Sequence, residues 1–312
     1  MDAAGHRVVH GGAVFHSAVR LDGEVEAQLE ALSELAPLHN PPALAGIRRL
    51  RNLCPRLVQV ACFDTAFHAS LPAVAAAYAL PAAWTARWKL RRYGFHGLSH
   101  AWASRRAAAL LDHPMAQLRI VTAHLGAGAS LAAVAGGQSI DTTMGFTPLE
   151  GLVMATRSGS VDPGLVLWLQ RYGGLSATQV EQGLEREAGL LGLAGSADLR
   201  EVIDGADRGE ERSVLAYGVY LHRLRAGIAA MAAAMQGLDA LVFTGGAGER
   251  SVRLRADACA GLAFLGVQLD KASNRDGRDD RLISPPRAPV AAAVVAARED
   301  LEIAHQVRRI LA

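Results

Sequence analysis

The chain has 312 residues, 51% of them apolar, which is long enough for one large domain or two ordinary ones with a substantial core. Its 32 basic and 30 acidic residues leave a formal net charge of +2, so the charge balance indicates neither nucleic acid nor an anionic membrane as a partner. Lys89 and Lys271 are its only lysines, and neither lies in a Gly-Lys-Ser/Thr sequence, which excludes a Walker A loop and a protein-kinase site.

Cysteine usage and the N-terminal sequence favour a reducing cytoplasm. Cys54, Cys62 and Cys259 contain no CxxC pair and are odd in number, so they indicate neither a disulfide framework nor a zinc site. The N-terminus lacks the basic start and apolar core of a signal peptide, so secretion is not expected. Residues 65–86 carry no charge, but they are alanine-rich and contain prolines, and we expect buried helix and turn there rather than a membrane span.

The first part of the chain predicts strands that end at glycine or charged residues. Residues 7–12 have the pattern of a strand end that enters a glycine turn. Apolar residues at helical spacing predict an amphipathic helix over 22–36, and a second helix is expected over 43–51. A short strand over 57–63 follows. Asp64 is therefore expected at the carboxyl end of a strand.

Two glycine-rich segments follow predicted strands in the rest of the chain. Gly126-Ala127-Gly128 separates strands over 119–124 and 130–134, and residues 245–249 follow a buried strand over 240–244. Further elements are predicted as helices over 97–111, 212–236 and 299–311 and as a strand over 290–296. Ligands of open α/β sheets bind outside the carboxyl ends of strands, so the two segments suggest a nucleotide cleft. An ordinary tight turn is the alternative for the first segment, and the second lacks the G-x-G-x-x-G spacing of a Rossmann site.

Six motifs, in order along the chain, carry a resemblance to one protein family. They are HRVVHGG at 6–12, LAPLHNPP at 35–42, FDTAFH at 63–68, YGFHGLSH at 93–100, GFTPLEGLVMATRSGSVDP at 145–163 and FTGGAGE at 243–249. Through these motifs the chain resembles the acetate kinase family. The resemblance implies reversible, direct in-line transfer of the γ-phosphoryl group of ATP to acetate, giving acetyl phosphate and ADP, with Mg²⁺ or Mn²⁺ as cofactor. It also implies a cytoplasmic protein, usually a homodimer.

The same resemblance implies an α/β fold, the duplicated actin-like and sugar-kinase-like (ribonuclease H-like) fold, with the active site between two lobes. We expect residues 1–64 and 299–312 to be a remnant of the N-terminal, acetate-binding lobe, and residues 65–298 to form the C-terminal, nucleotide-binding lobe. The family's Asn-x-Gly-Ser-Ser-Ser-x-Lys phosphate loop, which precedes HRVVHGG in other members, does not occur in this sequence. The first lobe is therefore expected to be truncated.

Transfer of a phosphoryl group to a carboxylate brings two anions together, so the site needs fixed positive charge. Arg7 and Arg157 match the family's two active-site arginines, and the resemblance implies that Arg7 orients the acetate carboxylate. His96 matches the histidine that donates a hydrogen bond to the transferring phosphoryl group. Asp64 matches the aspartate of the catalytic centre and the Mg²⁺ shell, and Glu299 matches the glutamate that binds the metal.

The resemblance also implies contacts for the acetate methyl group and the nucleotide. The residues at the positions of a small apolar pocket, each of which could equally be a core residue, are Val9, Leu38, Phe95 and Pro148. The segments that match ATP contacts are His124-Leu125-Gly126-Ala127-Gly128, Asp198-Leu199-Arg200 and Gly246-Ala247-Gly248-Glu249-Arg250. His39 matches a supporting polar residue near the substrate.

Three positions depart from the family pattern. Ala127, Arg250 and Arg298 each stand where the family has asparagine. Ala127 keeps the loop but removes a hydrogen-bond donor to phosphate, and the loss of one such donor costs roughly 10²–10³ in rate. One alternative is therefore a catalytically weak or inactive pseudoenzyme that still binds nucleotide. A propionate or butyrate kinase is the other, since it differs only in pocket size.

Overall fold

The computed structural model describes residues 2–36, 39–277 and 279–312 and places the strands in two sheets. The smaller sheet consists of β1 Ala3–Val8, β2 Val19–Arg20 and β3 Val58–Phe63. The larger sheet consists of β4 Arg119–Leu125, β5 Ala129–Ala135, β6 Gln138–Thr142, β7 Ala240–Thr244, β8 Arg281–Leu282 and β9 Ala291–Val294.

Helices cover both sheets. The α-helices are α1 Gly23–Ala31, α2 Asn40–Leu53, α3 Ala73–Ala76, α4 Ala82–Trp88, α5 Gly97–Leu110, α6 Pro163–Arg171, α7 Ala177–Gln182, α8 Gly189–Ala194, α9 Leu199–Asp207, α10 Glu211–Ala234, α11 Gly245–Arg250, α12 Val252–Ala260, α13 Lys271–Arg275 and α14 Glu299–Leu311. Short 3₁₀ helices cover Leu32–Leu35, Ala66–Ser70, Met115–Gln117 and Ala263–Leu265, and Gly183–Glu187 forms a π-helical turn.

The smaller sheet brings the carboxyl ends of two strands to one edge. Its central strand, β3, is parallel to β1 and antiparallel to β2, and Arg7 pairs with Cys62 in the β1–β3 register. An apolar core that includes Leu29 of α1 and Ile47 of α2 covers one face. α14 packs against β1 at Gly5, where a side chain would overlap a methyl group of an isoleucine of that helix. The last helix of the chain is thus held beside its first strand.

The larger sheet has the strand order β6-β5-β4-β7-β9-β8, and β4, β7 and β9 are parallel. One face packs against α10 in the largest apolar core, which includes Val121, Leu131 and Tyr220. The opposite face packs against α5. Because the three central strands are parallel, Leu125 and Thr244 end β4 and β7 at the same edge of the sheet.

Strand alternation sends polar side chains of β4 and β5 toward α5. Side chains two residues apart on a strand lie on the same face. Thr122 and Ser130 therefore share the face on which Ala103 and Ala107 of α5 pack, and all four residues are fully buried. The small alanine side chains allow the close approach of the helix to the sheet. The polar N-terminal end of α5 consequently meets hydroxyl groups of the two strands.

Two sequence predictions differ from the structure. Residues 65–86 form short helices separated by proline-containing turns, and Val74 and Trp84 are 93% and 51% exposed, so the predicted burial of this segment is wrong over much of its length. The second glycine segment, predicted as a loop, is helical instead. Gly245 directly follows β7 with a φ of +76°, and α11 begins at this residue.

Within the described residues, no helix is long and apolar enough to cross a membrane. The division into lobes at residue 64 stays a prediction.

We expect Gly97→Ala to lower the free energy of unfolding by about 1–3 kcal/mol. The amide of Gly97 donates to the Asp64 carbonyl oxygen at 2.8 Å, and a side chain there would overlap that oxygen and lie 2.8 Å from Phe67 Cβ. Gly46→Ala is the matched control, because a side chain at this exposed position of α2 meets nothing within 4 Å. It should stabilise the protein by about 0.5–1 kcal/mol. Urea unfolding followed by circular dichroism measures both, and an unchanged Gly97→Ala protein would contradict the packing described.

Candidate active site

One arginine joins three parts of the chain at the edge of the smaller sheet. Arg7 lies near the end of β1, Asp64 follows β3, and Glu299 begins α14. The Nη2 group of Arg7 donates to Asp64 Oδ2 at 2.6 Å, and Nε donates to Oδ1 and Oδ2 at 3.1 and 3.2 Å. Its Nη1 atom lies 3.3 Å from Glu299 Oε2. The arginine side chain is still 42% exposed, so the guanidinium remains accessible to a ligand.

Burial and charge act against each other in this cluster. Burial raises the pKa of Asp64, and the hydrogen bonds and charge of Arg7 oppose that rise. Burial likewise raises the pKa of Glu299 against the charge of Arg7. Burial lowers the pKa of Arg7, but the contacts with Asp64 and Glu299 outweigh it and raise that pKa overall. Arg7 is therefore a permanent cation between two acidic groups.

His96 occupies a backbone position at which the chain turns into α5. Its φ of 56° lies in the left-handed region, directly before the first helical residue. Its Nδ1 atom lies 2.9 Å from Ser130 Oγ, and its ring stacks on His124 with centroids 4.4 Å apart. Burial, followed by the charges of neighbouring imidazoles and of two arginines, lowers the pKa of His96 well below its ordinary value. Burial lowers the pKa of His124 to about 4, so both imidazoles are neutral at pH 7.

Arg157 approaches His96 from the other side of the site. Its Nη1 group donates to the Pro148 carbonyl oxygen at 2.8 Å. A Cβ atom at Gly128 would lie 3.3 Å from His96 Nε2 and 3.4 Å from Arg157 Nη2. Glycine at this position thus keeps the space between imidazole and guanidinium open. The charges of Arg7 and Arg157 both lower the pKa of His96, so both arginines act on this imidazole although they are far apart in sequence.

His39 lies in the same electrostatic environment. Burial, followed by the charges of Arg157 and Arg7, lowers the pKa of His39, while Asp64 and Glu185 oppose that effect. His39, which directly precedes α2, is therefore within electrostatic range of both guanidinium groups. The neighbouring candidate Leu38 lies outside the described residues.

Sequence reasoning missed the buried hydroxyl groups that hold the imidazoles. Ser130 Oγ lies 2.9 Å from His96 Nδ1 and 2.8 Å from His100 Nε2, and Thr122 Oγ1 lies 2.7 Å from His100 Nδ1. Ser99 Oγ lies 2.7 Å from His124 Nδ1. The sequence contained one indication of this arrangement. Thr122 and His124 are two residues apart in a predicted strand, so their side chains lie on the same face of the sheet. That signal did not reveal which helix would cover this face.

The predicted apolar pocket residues occupy different environments. Val9 is half-buried directly after β1 and packs against the largest core. Phe95 is 2% exposed, and its ring lies 5.5 Å from that of His10 in an edge-on arrangement. Pro148 is half-buried and supplies the carbonyl oxygen that Arg157 binds. Phe95 is thus a core residue here, and contact of these three residues with a substrate methyl group stays a prediction.

The two glycine segments meet at the carboxyl edge of the larger sheet. The amide of Gly126 donates to the Gly128 carbonyl oxygen at 3.0 Å in the turn between β4 and β5, and Ala127 is exposed at the tip. Where a side chain of Gly245 would begin, the backbone of Leu125 is only 3.0 Å away. A side chain on Gly246 would meet nothing within 4 Å, so this glycine faces open space.

A buried arginine holds the last turn of α11. Arg255 is 1% exposed, and its Nη1 group donates to the carbonyl oxygens of Gly248 and Glu249 at 2.9 and 2.7 Å. Its Nε and Nη2 groups donate to Asn274 Oδ1 and to the Asn274 carbonyl oxygen at 2.7 and 2.8 Å. Burial, followed by the charge of Arg281, lowers the pKa of Arg255 to about 10, which leaves it cationic at neutral pH. Polar carbonyl groups therefore compensate this buried charge.

The third predicted nucleotide segment lies at the start of α9. Asp198 caps that helix, because its Oδ1 atom accepts from the Arg200 amide at 2.9 Å. The guanidinium of Arg200 pairs with the same carboxylate and is 86% exposed, while Leu199 is half-buried against the largest core. Contact of Asp198, Leu199 and Arg200 with a nucleotide stays a prediction.

The acidic groups of the site suit a hard divalent cation. Mg²⁺ needs only one or two protein carboxylates, because waters and substrate phosphates complete its coordination. Asp64 and Glu299 provide two carboxylates, and both contact the guanidinium of Arg7. Among the residues that the structure describes, no group of three or more His, Cys, Asp and Glu side chains could hold a metal ion. The two carboxylates are therefore a donor set of the size that Mg²⁺ uses.

Curated relatives of this chain are acetate kinases. The chain is 50% identical to the acetate kinase of Synechococcus sp. (strain JA-2-3B'a(2-13)), over 98% of this chain and 76% of the relative. It is 46% identical to acetate kinase 2 of Listeria monocytogenes serotype 4b (strain F2365), over 98% of this chain and 77% of the relative. The chain thus spans about three quarters of the length of these relatives.

Solved structures and a family profile agree with these relatives. The fold matches Porphyromonas gingivalis acetate kinase with a TM-score of 0.95 and 42% identity, over 100% of this chain and 79% of that one. It matches a propionate kinase from Francisella tularensis with a TM-score of 0.92 and 40% identity, over 98% of this chain and 78% of that one. The predicted α/β fold is confirmed by these matches. The profile of the Acetokinase family matches residues 1–305, and the chain belongs to that family.

Proposed function

We propose that this chain is an acetate kinase, which transfers the γ-phosphoryl group of ATP to acetate and catalyses the reverse reaction. The observation that carries the proposal is that His96 Nε2 and Arg157 Nη2 converge beside Gly128, at 3.3 and 3.4 Å from the position of a Cβ atom there. A hydrogen-bond donor and a fixed cation converge there, and the transferring phosphoryl group is an anion with acceptor oxygens. Family membership supports the same reaction.

The chemistry needs positive charge rather than proton transfer. An acetate oxygen attacks the γ-phosphorus in line, and a new C–O–P linkage forms. The bond from that phosphorus to the β–γ bridging oxygen breaks, and its electron pair leaves with ADP. Arg7 and Arg157 offset the repulsion between carboxylate and phosphate, and His96 donates a hydrogen bond to the phosphoryl oxygens. No proton moves in this step, so a neutral imidazole is sufficient.

Asp64 and Glu299 would hold Mg²⁺ in this proposal. The ion, when bound, neutralises negative charge on the ATP phosphates. Arg7 contacts both carboxylates, holds them close together and opposes the rise in their pKa values that burial causes. The same guanidinium orients the acetate carboxylate with its exposed edge. One arginine therefore links the acetate and metal parts of the site.

The two glycine segments would contact the ATP phosphates with backbone N–H groups. Gly246 faces open space, and the turn at Gly126 and Gly128 leaves no side chain in the way. Val9 and Pro148 would border the acetate methyl group. The structural likeness to a propionate kinase favours propionate as a second acceptor, and a comparison of kcat/KM for acetate, propionate and butyrate ranks the three.

We also infer a homodimer and a cytoplasmic location. Apolar side chains along α6 and beside it are exposed, among them Leu165 at 47%, Trp168 at 54% and Tyr172 at 76%. Contiguous apolar surface of this kind marks an interface. The cytoplasm is supported by three unpaired cysteines, two of them buried, which suit a reducing compartment.

Arg157→Ala should lower kcat by at least about 10²–10³, because a fixed charge at the transferring group is lost. A hydroxamate assay with ATP, Mg²⁺ and acetate measures the acetyl phosphate formed. Arg208→Ala is the matched control, since Arg208 is exposed and pairs with Glu210, and it should keep the wild-type rate. An Arg157→Ala protein with wild-type kcat would show that the proposed role is wrong. If the wild-type chain binds ATP but forms no hydroxamate, the inactive pseudoenzyme is the better description.

Ala127→Asn should raise kcat by about 10-fold or more, because it places an amide donor at the exposed tip of the first glycine turn. Ala127→Leu has nearly the same shape without the donor and serves as the control. Steady-state rates in the hydroxamate assay compare the two variants. Equal rates for both would mean that the side chain at this position does not meet a phosphate.

Trp168→Glu should convert the dimer to a monomer, because a charge in an apolar interface is costly to bury. Sedimentation equilibrium at micromolar concentration measures the mass. Glu181→Gln alters charge on the neighbouring exposed helix α7 and is expected to leave the mass unchanged. A wild-type chain that sediments as a monomer would contradict the inferred interface.

A further inference from the structure

An unbroken chain of hydrogen bonds runs from the protein interior to His96. Thr122 Oγ1 lies 2.7 Å from His100 Nδ1, and His100 Nε2 lies 2.8 Å from Ser130 Oγ. Ser130 Oγ lies 2.9 Å from His96 Nδ1. Thr122, His100 and Ser130 are all 0% exposed, so water does not compete for these groups. The chain ends at His96 Nε2, which faces the space beside Gly128.

Proton counting allows only two arrangements of this chain. A neutral imidazole carries one N–H, and a hydroxyl carries one O–H and two lone pairs. The described contacts of the Ser130 hydroxyl are the two imidazole nitrogens, so its hydrogen is used only when each member donates once in the same direction. In one order, donation runs from Thr122 toward His96, and His96 Nε2 carries the hydrogen. In the opposite order, His96 Nδ1 donates to Ser130, and Nε2 presents a lone pair. The two orders therefore leave opposite chemistry at the exposed nitrogen.

Thr122 closes the inner end of the chain. Its hydroxyl has two possible acceptors, His100 Nδ1 at 2.7 Å and the Ala132 carbonyl oxygen at 3.5 Å. The shorter contact lies well within hydrogen-bond range, and the longer one is at its limit. A hydroxyl hydrogen directed at His100 leaves the imidazole hydrogen of His100 on Nε2, whereas one directed at the Ala132 carbonyl oxygen lets His100 Nδ1 donate to Thr122. In the first case His100 donates to Ser130, Ser130 donates to His96 Nδ1, and His96 Nε2 carries the hydrogen that a phosphoryl oxygen can accept.

We propose that Thr122, His100 and Ser130 are positioning residues that hold His96 as its Nε2–H tautomer, with that N–H directed into the space between Gly128 and Arg157. The inference rests on the proposed phosphoryl transfer. Phosphoryl oxygens only accept hydrogen bonds, so the opposite tautomer would place a lone pair against them. None of the three residues needs to touch the substrate.

The structure supplies a matched control. His68 Nδ1 lies 2.7 Å from Ser139 Oγ, and both residues are fully buried. The other ring nitrogen of His68 lies 3.0 Å from the Phe95 carbonyl oxygen, and no described hydrogen bond joins this pair to Thr122, His100 or Ser130. Ser139→Ala therefore removes the same kind of hydroxyl–imidazole bond without interrupting the chain to His96.

The tautomer can be measured directly on the 312-residue chain without any substrate. Two-bond ¹H–¹⁵N spectra of histidine-labelled protein distinguish a protonated ring nitrogen from an unprotonated one. In the wild type, His96 should be protonated at Nε2. Thr122→Val keeps the side-chain shape but removes the hydroxyl, and it should give a mixture of tautomers at His96, as should Ser130→Ala. Ser139→Ala should leave the His96 signals unchanged.

Kinetics provide the second readout. Thr122→Val and Ser130→Ala should lower kcat by about 10- to 100-fold, less than the roughly 10²–10³ of a donor removed outright, with KM values within about twofold of wild type. Ser130→Cys, which retains a weak donor, should recover part of the loss. Ser139→Ala should stay within about twofold of the wild-type kcat.

These measurements separate the inference from the function on which it rests. Wild-type His96 protonated at Nδ1, or a tautomer that neither Thr122→Val nor Ser130→Ala alters, would overturn the positioning role. A correct tautomer in a protein that forms no acetyl phosphate would instead refute the proposed function. The described hydrogen bonds of the Thr122 side chain go to His100 and Ala132, so a tautomer change at His96 caused by Thr122→Val would have to pass through His100 and Ser130.

Discussion

The ion pair between Arg7 and Asp64 ties the whole site together. Both residues lie at or beside the carboxyl ends of parallel strands, and parallel pairing brings together segments that are 57 residues apart. Glu299 joins them because Gly5 lets α14 pack closely on β1. A change in the β1–β3 register would move Arg7 and Asp64 apart and would displace both carboxylates from the guanidinium. The chemistry therefore depends on strand pairing as much as on the identity of the residues.

Charge and hydrogen-bond direction come from different residue types in this site. Burial keeps His96, His100 and His124 neutral, since each pKa lies well below its ordinary value. The positive charge is supplied by guanidinium groups, which do not titrate near neutral pH. Neutral imidazoles can still direct a single N–H with precision, provided that their partners select the tautomer. The buried hydroxyls of β4 and β5 are suited to that selection.

Sequence patterns predicted the elements that position the site better than they predicted its interior. Asp64 was correctly placed at a strand end, and the predicted strands around Gly128 correspond to β4 and β5. The motifs also indicated that Arg7 and Arg157 belong to one site, although spacing alone could not bring them together. Ser130 was missed, because a serine in an alanine-rich strand resembles any small core residue until the covering helix is known. Burial of 65–86 was overpredicted, since an apolar composition does not reveal how often prolines interrupt a segment.

Arg255 shows how the second glycine segment is anchored. Its guanidinium binds carbonyl oxygens and an amide, and none of its four described bonds goes to a carboxylate. An ion pair between arginine and a carboxylate weakens when acid protonates the carboxylate. Backbone carbonyl oxygens are not protonated at the pH values that protonate carboxylates. The bonds to Gly248 and Glu249 therefore persist in acid that protonates the carboxylate partners of Arg7, and the turn beside Gly246 is anchored without an ionisable acceptor.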